Sequence, residues 1–219
     1  MYTLHAVPDW ASLIVHLVLE EMGVPYTLAL KDFDAGDLDA PAFRAISPFG
    51  KIPALETPQG PLFETAAILL WLAAQHGGMA PAPTDPHRGA FLQWFVFTNN
   101  TVHAGMMNLL HPYRPAGDAA IDMVIPIAHA NLRTSYAALD AMVARDKPTW
   151  LSDQPSVLAY YLAVLMRWTS AFAHDPAYNI PTTDYPALHA VLAAMEQRAT
   201  AQRVFANEGI GATPFTQAA

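Results

Sequence analysis

The pattern of this chain changes character once, at Gly77-Gly78-Met79-Ala80-Pro81-Ala82-Pro83-Thr84-Asp85-Pro86. Glycine and proline at this density support neither helical nor strand periodicity and mark a boundary. Before it, short β-compatible runs alternate with helical patterns. After it, every patterned segment is helical. A chain divided in this way is expected to fold as an α/β domain at 1–77, a linker at 78–86 and an all-helical domain at 87–219.

Within the first part, Tyr2 to Ala6 reads as a strand that Pro8-Asp9 breaks. Leu13, Ile14, Leu17, Val18 and Met22 then recur at helical spacing, with Gly23 where a C′ cap belongs. Pro25 to Leu30 is a second strand, and Asp34 to Ile46 a loop with a short helix. A turn at Ser47-Pro48-Phe49-Gly50 leads into a strand from Ile52 to Glu56. Thr57-Pro58-Gln59-Gly60 turns the chain into Leu62-Phe63, and Glu64 opens a helix to about Gln75. The order is β-α-β-α-β-β-α. Beyond the linker, helices are expected at about 87–110, 119–144, 156–172 and 186–198, with Pro126 a possible true start for the second. Gly209 to Ala219 carries no periodicity and reads as a loose tail.

Composition excludes several classes of function. With 53% hydrophobic and 14% charged residues, the chain is no candidate for disorder, and helices buried on several sides are expected. A net charge of −8, with only 11 basic residues and no basic cluster, argues against nucleic acid and against an anionic membrane surface. The absence of cysteine removes disulfides, thiolate metal sites and cysteine nucleophiles. The nine histidines show no ligand spacing, so no metal site is expected. Met1-Tyr2-Thr3-Leu4-His5 lacks a basic n-region, and no apolar run reaches the roughly 18 residues of a membrane span. A soluble, cytoplasmic protein is expected.

Two short segments carry a family resemblance. Ser47-Pro48-Phe49-Gly50-Lys51-Ile52-Pro53-Ala54-Leu55 is similar to the Asn-Pro-x-Gly-x-Val-Pro-Ala-Leu segment of the soluble glutathione S-transferases. Glu64-Thr65-Ala66-Ala67-Ile68 resembles that family's Glu/Gln-Ser-x-Ala-Ile. With the element order and the helical remainder, the likeness covers nearly the whole chain and is to bacterial-like members. It implies a thioredoxin-like N-terminal domain that binds glutathione as co-substrate, a helical-bundle domain that supplies the electrophile pocket, and a homodimer. It also implies that Pro53 is cis and that the Ile52 backbone pairs with the cysteinyl backbone of glutathione like an added strand. Lys51 would meet the glycine carboxylate. Thr65 and the first-turn N–H groups would hold the γ-glutamyl carboxylate, and Glu64 the α-ammonium group. The plain alternatives are an edge-strand turn at Pro53 and a simple helix cap at Glu64-Thr65. Ser152 to Ala159 is similar to the family's capping box, although Ala159 replaces its acid.

The chain departs from the family where chemistry is expected. Glutathione transferases lower the thiol pKa with a Tyr, Ser or Cys, and those positions fall near His5, Asp9 and Ala11. Ser12, the Trp10 indole N–H, His5 and the helix-opening backbone N–H groups remain as candidate activators, with Ser12 the natural choice. Asp9 near the sulfur would raise the thiol pKa, so helix capping suits it better. The electrophile pocket is expected beside the first long helix, from Asn100, His103, Met106, Met107 and Tyr113, near Asn99. The expected activity is conjugation of glutathione to a hydrophobic electrophile. The alternative is a non-catalytic binding or scaffolding protein on the same fold.

Overall fold

The computed structural model describes residues 1–218; the final residue of the expected tail lies outside them. Tyr2–Ala6 forms β1, and Ser12–Met22 forms α1, closed by Gly23 in the left-handed conformation (φ 64°). Tyr26–Leu30 (β2) runs parallel to β1, from Tyr2 opposite Tyr26 to Ala6 opposite Leu30. After the short α2, Pro41–Arg44, strands β3 (Ala54–Thr57) and β4 (Gly60–Phe63) make an antiparallel hairpin. The four-stranded order is β2-β1-β3-β4, with Leu4 opposite Leu55. Thr65–His76 forms α3. This is the expected thioredoxin-like β-α-β-α-β-β-α order.

The second part is helical. Arg88–Phe97 (α4) and Ala104–Leu110 (α5) were expected as one unbroken helix, but a π-helical turn, Thr98–His103, separates them. Tyr113–Ala116 is α6, and Ile121–Asp146 is α7. The latter begins before Pro126 and runs through it, because one lost N–H interrupts the ladder without ending it. Val157–Ala171 (α8) is buried on all sides as far as Thr169 and forms the centre of this core. Its cap is Ser156, whose hydroxyl accepts from the Ala159 N–H at 2.9 Å and donates to the Trp150 carbonyl at 2.6 Å. Pro186–Glu196 is α9. The segment expected as a loose tail is tied down here: Phe215 is fully buried, and its N–H donates to the buried Glu196 carboxylate at 2.8 Å.

A further helix, Ala199–Glu208 (α10), lies where none was anticipated. Its apolar stripe is narrow, only Ala201, Val204 and Phe205, and too sparse to stand out in a polar stretch. It packs along α1. The chain therefore divides into Met1–Ala80 with Arg198–Ala212, and Pro81–Gln197 with the chain from Thr213. The expectation that 87–219 forms one domain misses this return. Its physical reason lies in α1, which is buried from Ser12 to Leu19 and so needs covering on more than its sheet side. Glu20 and Glu21 also end α1 at the wrong pole of the helix dipole. Arg203 pairs with Glu20 at 2.8 Å and Arg198 with Glu21 at 2.5 Å, and the Thr200 hydroxyl donates to Glu21.

Candidate functional site

Three segments of the first unit meet at one end of its sheet. The register sets Ala54 opposite both His5 and Phe63. The residues just outside the ladder are then the β1–α1 turn, Ile52-Pro53 and Glu64-Thr65. The Ile52–Pro53 bond is cis, and β3 begins only at Ala54, which leaves Ile52 outside the ladder. Its side chain packs against Leu38, Phe43 and Ala54.

The loop before Pro53 closes on itself. The buried Ser47 hydroxyl donates to the Lys51 carbonyl at 2.7 Å and accepts from the Lys51 N–H at 3.1 Å. Gly50 donates to the Ser47 carbonyl and has φ 59°; a Cβ there would lie 2.6 Å from the Leu38 carbonyl oxygen. Lys51 is exposed, and among the described residues it pairs with no carboxylate. Across the hairpin, Glu64 is exposed and held at φ 72°, a left-handed value that a non-glycine residue adopts only when its surroundings enforce it. Thr65 follows as the first residue of α3 and is mostly buried.

The β1–α1 turn is bound from two directions. Trp10 N–H donates to the Val7 carbonyl at 3.2 Å, and Ser12 Oγ both donates to that carbonyl at 3.0 Å and accepts from the Val7 N–H at 3.2 Å. Asp9 has φ 55°, and its N–H donates to Glu208 at 2.7 Å. An open cleft of about 580 Å³ lies beside this turn, lined among others by Trp10, Leu30, Lys31 and Phe33. The Trp10 and Phe33 rings stand 5.0 Å apart.

In the second unit, a polar chain runs through the π-helical turn. Tyr161 Oη donates to Asn99 Oδ1 at 2.9 Å, so at 2.7 Å it accepts from His103 Nδ1–H. Asn99 donates in turn to Asn100 at 2.8 Å. Burial pushes the His103 imidazole down to about 4, so it is neutral near pH 7. This tautomer leaves Nε2 as an acceptor.

The profile of the glutathione S-transferase N-terminal domain matches residues 1–74. A glutathione S-transferase of Xanthomonas campestris, GST-4.5, is 28% identical over 94% of this chain and 98% of its own length. Residues 1–74 thus match a glutathione S-transferase N-terminal domain, and the chain as a whole is similar to transferases of that family. A sphingomonad glutathione S-transferase solved with glutathione superposes with TM-score 0.77 at 28% identity, covering 95% of this chain and all of that one. A second relative, the probable elongation factor 1-gamma 2 of Arabidopsis thaliana, is 28% identical over 76% of this chain. The chain spans only 43% of that protein's length.

The transferase fold gathers Lys51, Ile52, Pro53, Glu64 and Thr65 around one end of the sheet. It does not present two of the three candidate activators. Ser12 is fully buried with its proton given to Val7. His5 is also buried, its ring against Phe43 and its Nε2 2.8 Å from Glu56 Oε1. A one-dimensional reading places both near the helix start but cannot tell which way they point. Trp10, 41% exposed, remains accessible. Among the pocket candidates, Asn100 and His103 share the polar chain, and Met107 is half-buried. Tyr113 is exposed, with Oη 3.2 Å from His111 Nδ1, whereas Met106 is 1% exposed and belongs to the core. Tyr161, which orients His103, went unnoticed because it lies within an unbroken apolar run. Glu208, which the sequence reading passed over, sits just before the helix-ending Gly209.

Proposed function

We propose that this chain binds glutathione at the end of its sheet and transfers the thiolate to a hydrophobic electrophile. The observation that carries the binding is the register that sets Ile52-Pro53, Glu64-Thr65 and the β1–α1 turn at one edge. Ile52 N–H and C=O lie outside the ladder and pair with the cysteinyl backbone. The unpaired Lys51 ammonium takes the glycine carboxylate. Thr65 and the α3 N-terminus take the γ-glutamyl carboxylate, while Glu64 accepts from the α-ammonium group. The enforced positive φ of Glu64 supports this role, since such outliers persist where a site needs them.

With Ser12 turned inward, the sulfur is stabilised by the Trp10 indole N–H and the backbone N–H groups that open α1. The electrophile is held by Asn100, His103, Met107 and Tyr113, with neutral His103 as a hydrogen-bond acceptor. A homodimer is the assembly expected for this family, and light scattering tests it.

A second reading, glutathione binding or scaffolding without catalysis, is favoured by the occupied Ser12 hydroxyl and by the elongation-factor relatives. Thermal unfolding with millimolar glutathione separates the readings when paired with thiolate absorbance. At 100 times its dissociation constant, glutathione should add about 2.7 kcal/mol of stability. No shift removes the binding reading. A shift without thiolate absorbance near neutral pH leaves binding alone.

A further inference from the structure

Glu208 is the last residue of α10, and its side chain is only 4% exposed. A carboxylate so far from water needs donors on both oxygens. Oε1 accepts from Nδ1 of His16 at 2.7 Å, and Oε2 accepts from the backbone N–H of Asp9 at 2.7 Å. His16 is fully buried on α1, edge-on to Tyr26, and among the described residues its Nε2 has no partner. The imidazole is thus committed to Glu208 and fixes where that carboxylate stands.

Its other oxygen reaches one of the non-glycine residues held at positive φ. Asp9 holds φ 55° between β1 and α1, in a region that side chains other than glycine avoid. Trp10 and Ser12 tie the same turn locally to Val7. The bond to Glu208 instead spans 199 residues of sequence.

We propose that Glu208 is a positioning residue for the glutathione sulfur. It holds Asp9 left-handed and so fixes where the Trp10 indole and the N–H groups of Ala11 and Ser12 point. The carboxylate never meets the substrate; it acts through the turn. This rests on the reading that the sulfur meets the β1–α1 turn. The γ-glutamyl and glycine ends are held elsewhere, so loss of Glu208 strikes thiolate formation and spares affinity.

The test compares Glu208→Ala, Glu208→Gln and Arg203→Ala in the full chain. Amide hydrogen exchange at Asp9, thiolate absorbance of bound glutathione, and kcat against KM are the readouts. Small displacements of a positioning group carry large rate penalties, so Glu208→Ala should lower thiolate absorbance and kcat about tenfold with KM for glutathione within about twofold. Exchange at Asp9 should rise by a similar factor. Glu208→Gln should restore all three, because its amide oxygen still accepts from Asp9 while its NH2 donates to the other His16 tautomer. Arg203→Ala loosens α10 without touching the turn and should leave them unmoved. Equal effects of Arg203→Ala and Glu208→Ala, or unchanged exchange at Asp9 in Glu208→Ala, would overturn the proposal. If Glu208→Ala does not fold, Glu208→Met fills the same space without an acceptor and is scored in the same way. A wild-type protein that binds glutathione without thiolate absorbance defeats the activation reading alone, and exchange at Asp9 still decides the role of Glu208.

Discussion

The loop from Ser47 to Pro53 closes on itself, whereas the turn from Val7 to Trp10 is held in part from the far end of the chain. In the loop, one hydroxyl bonds both the N–H and the carbonyl of a residue four positions away, and a glycine makes the tight approach to Leu38. In the turn, a comparable hydroxyl, that of Ser12, does similar work, but the Asp9 N–H also donates to the distant Glu208. The loop can therefore be recognised from nine consecutive residues. The turn cannot, because no local spacing reports a bond across 199 positions.

The contrast is broken most severely by Gly50→Ala. With φ 59° and a backbone oxygen 2.6 Å from the new Cβ, the loop must shift. A loss of about 3 kcal/mol is expected. Urea unfolding measures it, and an unchanged midpoint would mean that the loop is less self-determined than its geometry implies. Ser12→Ala comes next. It removes both bonds to Val7 in a fully buried setting, and about 2 kcal/mol should disappear from the same unfolding curve. A loss confined to turnover, with stability intact, would return Ser12 to chemistry.

Thr65→Val sharpens the contrast from the binding side. Glutathione affinity should fall by roughly 1 kcal/mol, read by titration calorimetry, while the unfolding midpoint stays close to wild type. Unchanged affinity would undo the role given to α3. The smallest effect is expected from Arg203→Ala, below about 1 kcal/mol because the arginine is solvent-exposed. Arg203, hydrogen-bonded to Glu20, holds that carboxyl below its usual range, with a further contribution from the Tyr26 hydroxyl, against desolvation. A group depressed in the folded state stabilises above its unfolded pKa, and that contribution fades as pH falls through the folded value. Arg203→Ala should flatten this acid-side decline, and added salt should mimic the variant.

Much of this was legible in the sequence, for definite reasons. Leu13, Ile14, Leu17 and Val18 announced α1, Gly23 its end, and Ser156 the start of α8, each through local rules of spacing and capping. Residues 51–53 and 64–65 stand out in the sequence because each lies in a contiguous run, and the register brings both runs to one end of the sheet. The orientation of Ser12 and His5 was not, since a position near a helix start does not say whether a hydroxyl turns outward or back to Val7. The π-helical turn was hidden as well, because Thr98 to His103 keeps enough helical periodicity to pass for α-helix. Helix α10 was missed for want of apolar residues. Its best sign was electrostatic: two glutamates at the wrong end of α1 called for cations from elsewhere.

The return of α10 to the first unit sets an order of events during synthesis. Residues 1–80 leave the ribosome long before Arg198, and at ordinary elongation rates the gap is on the order of ten seconds. Throughout that interval the outer flank of α1 lacks its cover, and His16 and Asp9 wait for a carboxylate not yet made. The early portion of the chain thus emerges as an unfinished surface that only its late portion can complete. A gene fragment that stops after the sheet would carry that unfinished surface permanently.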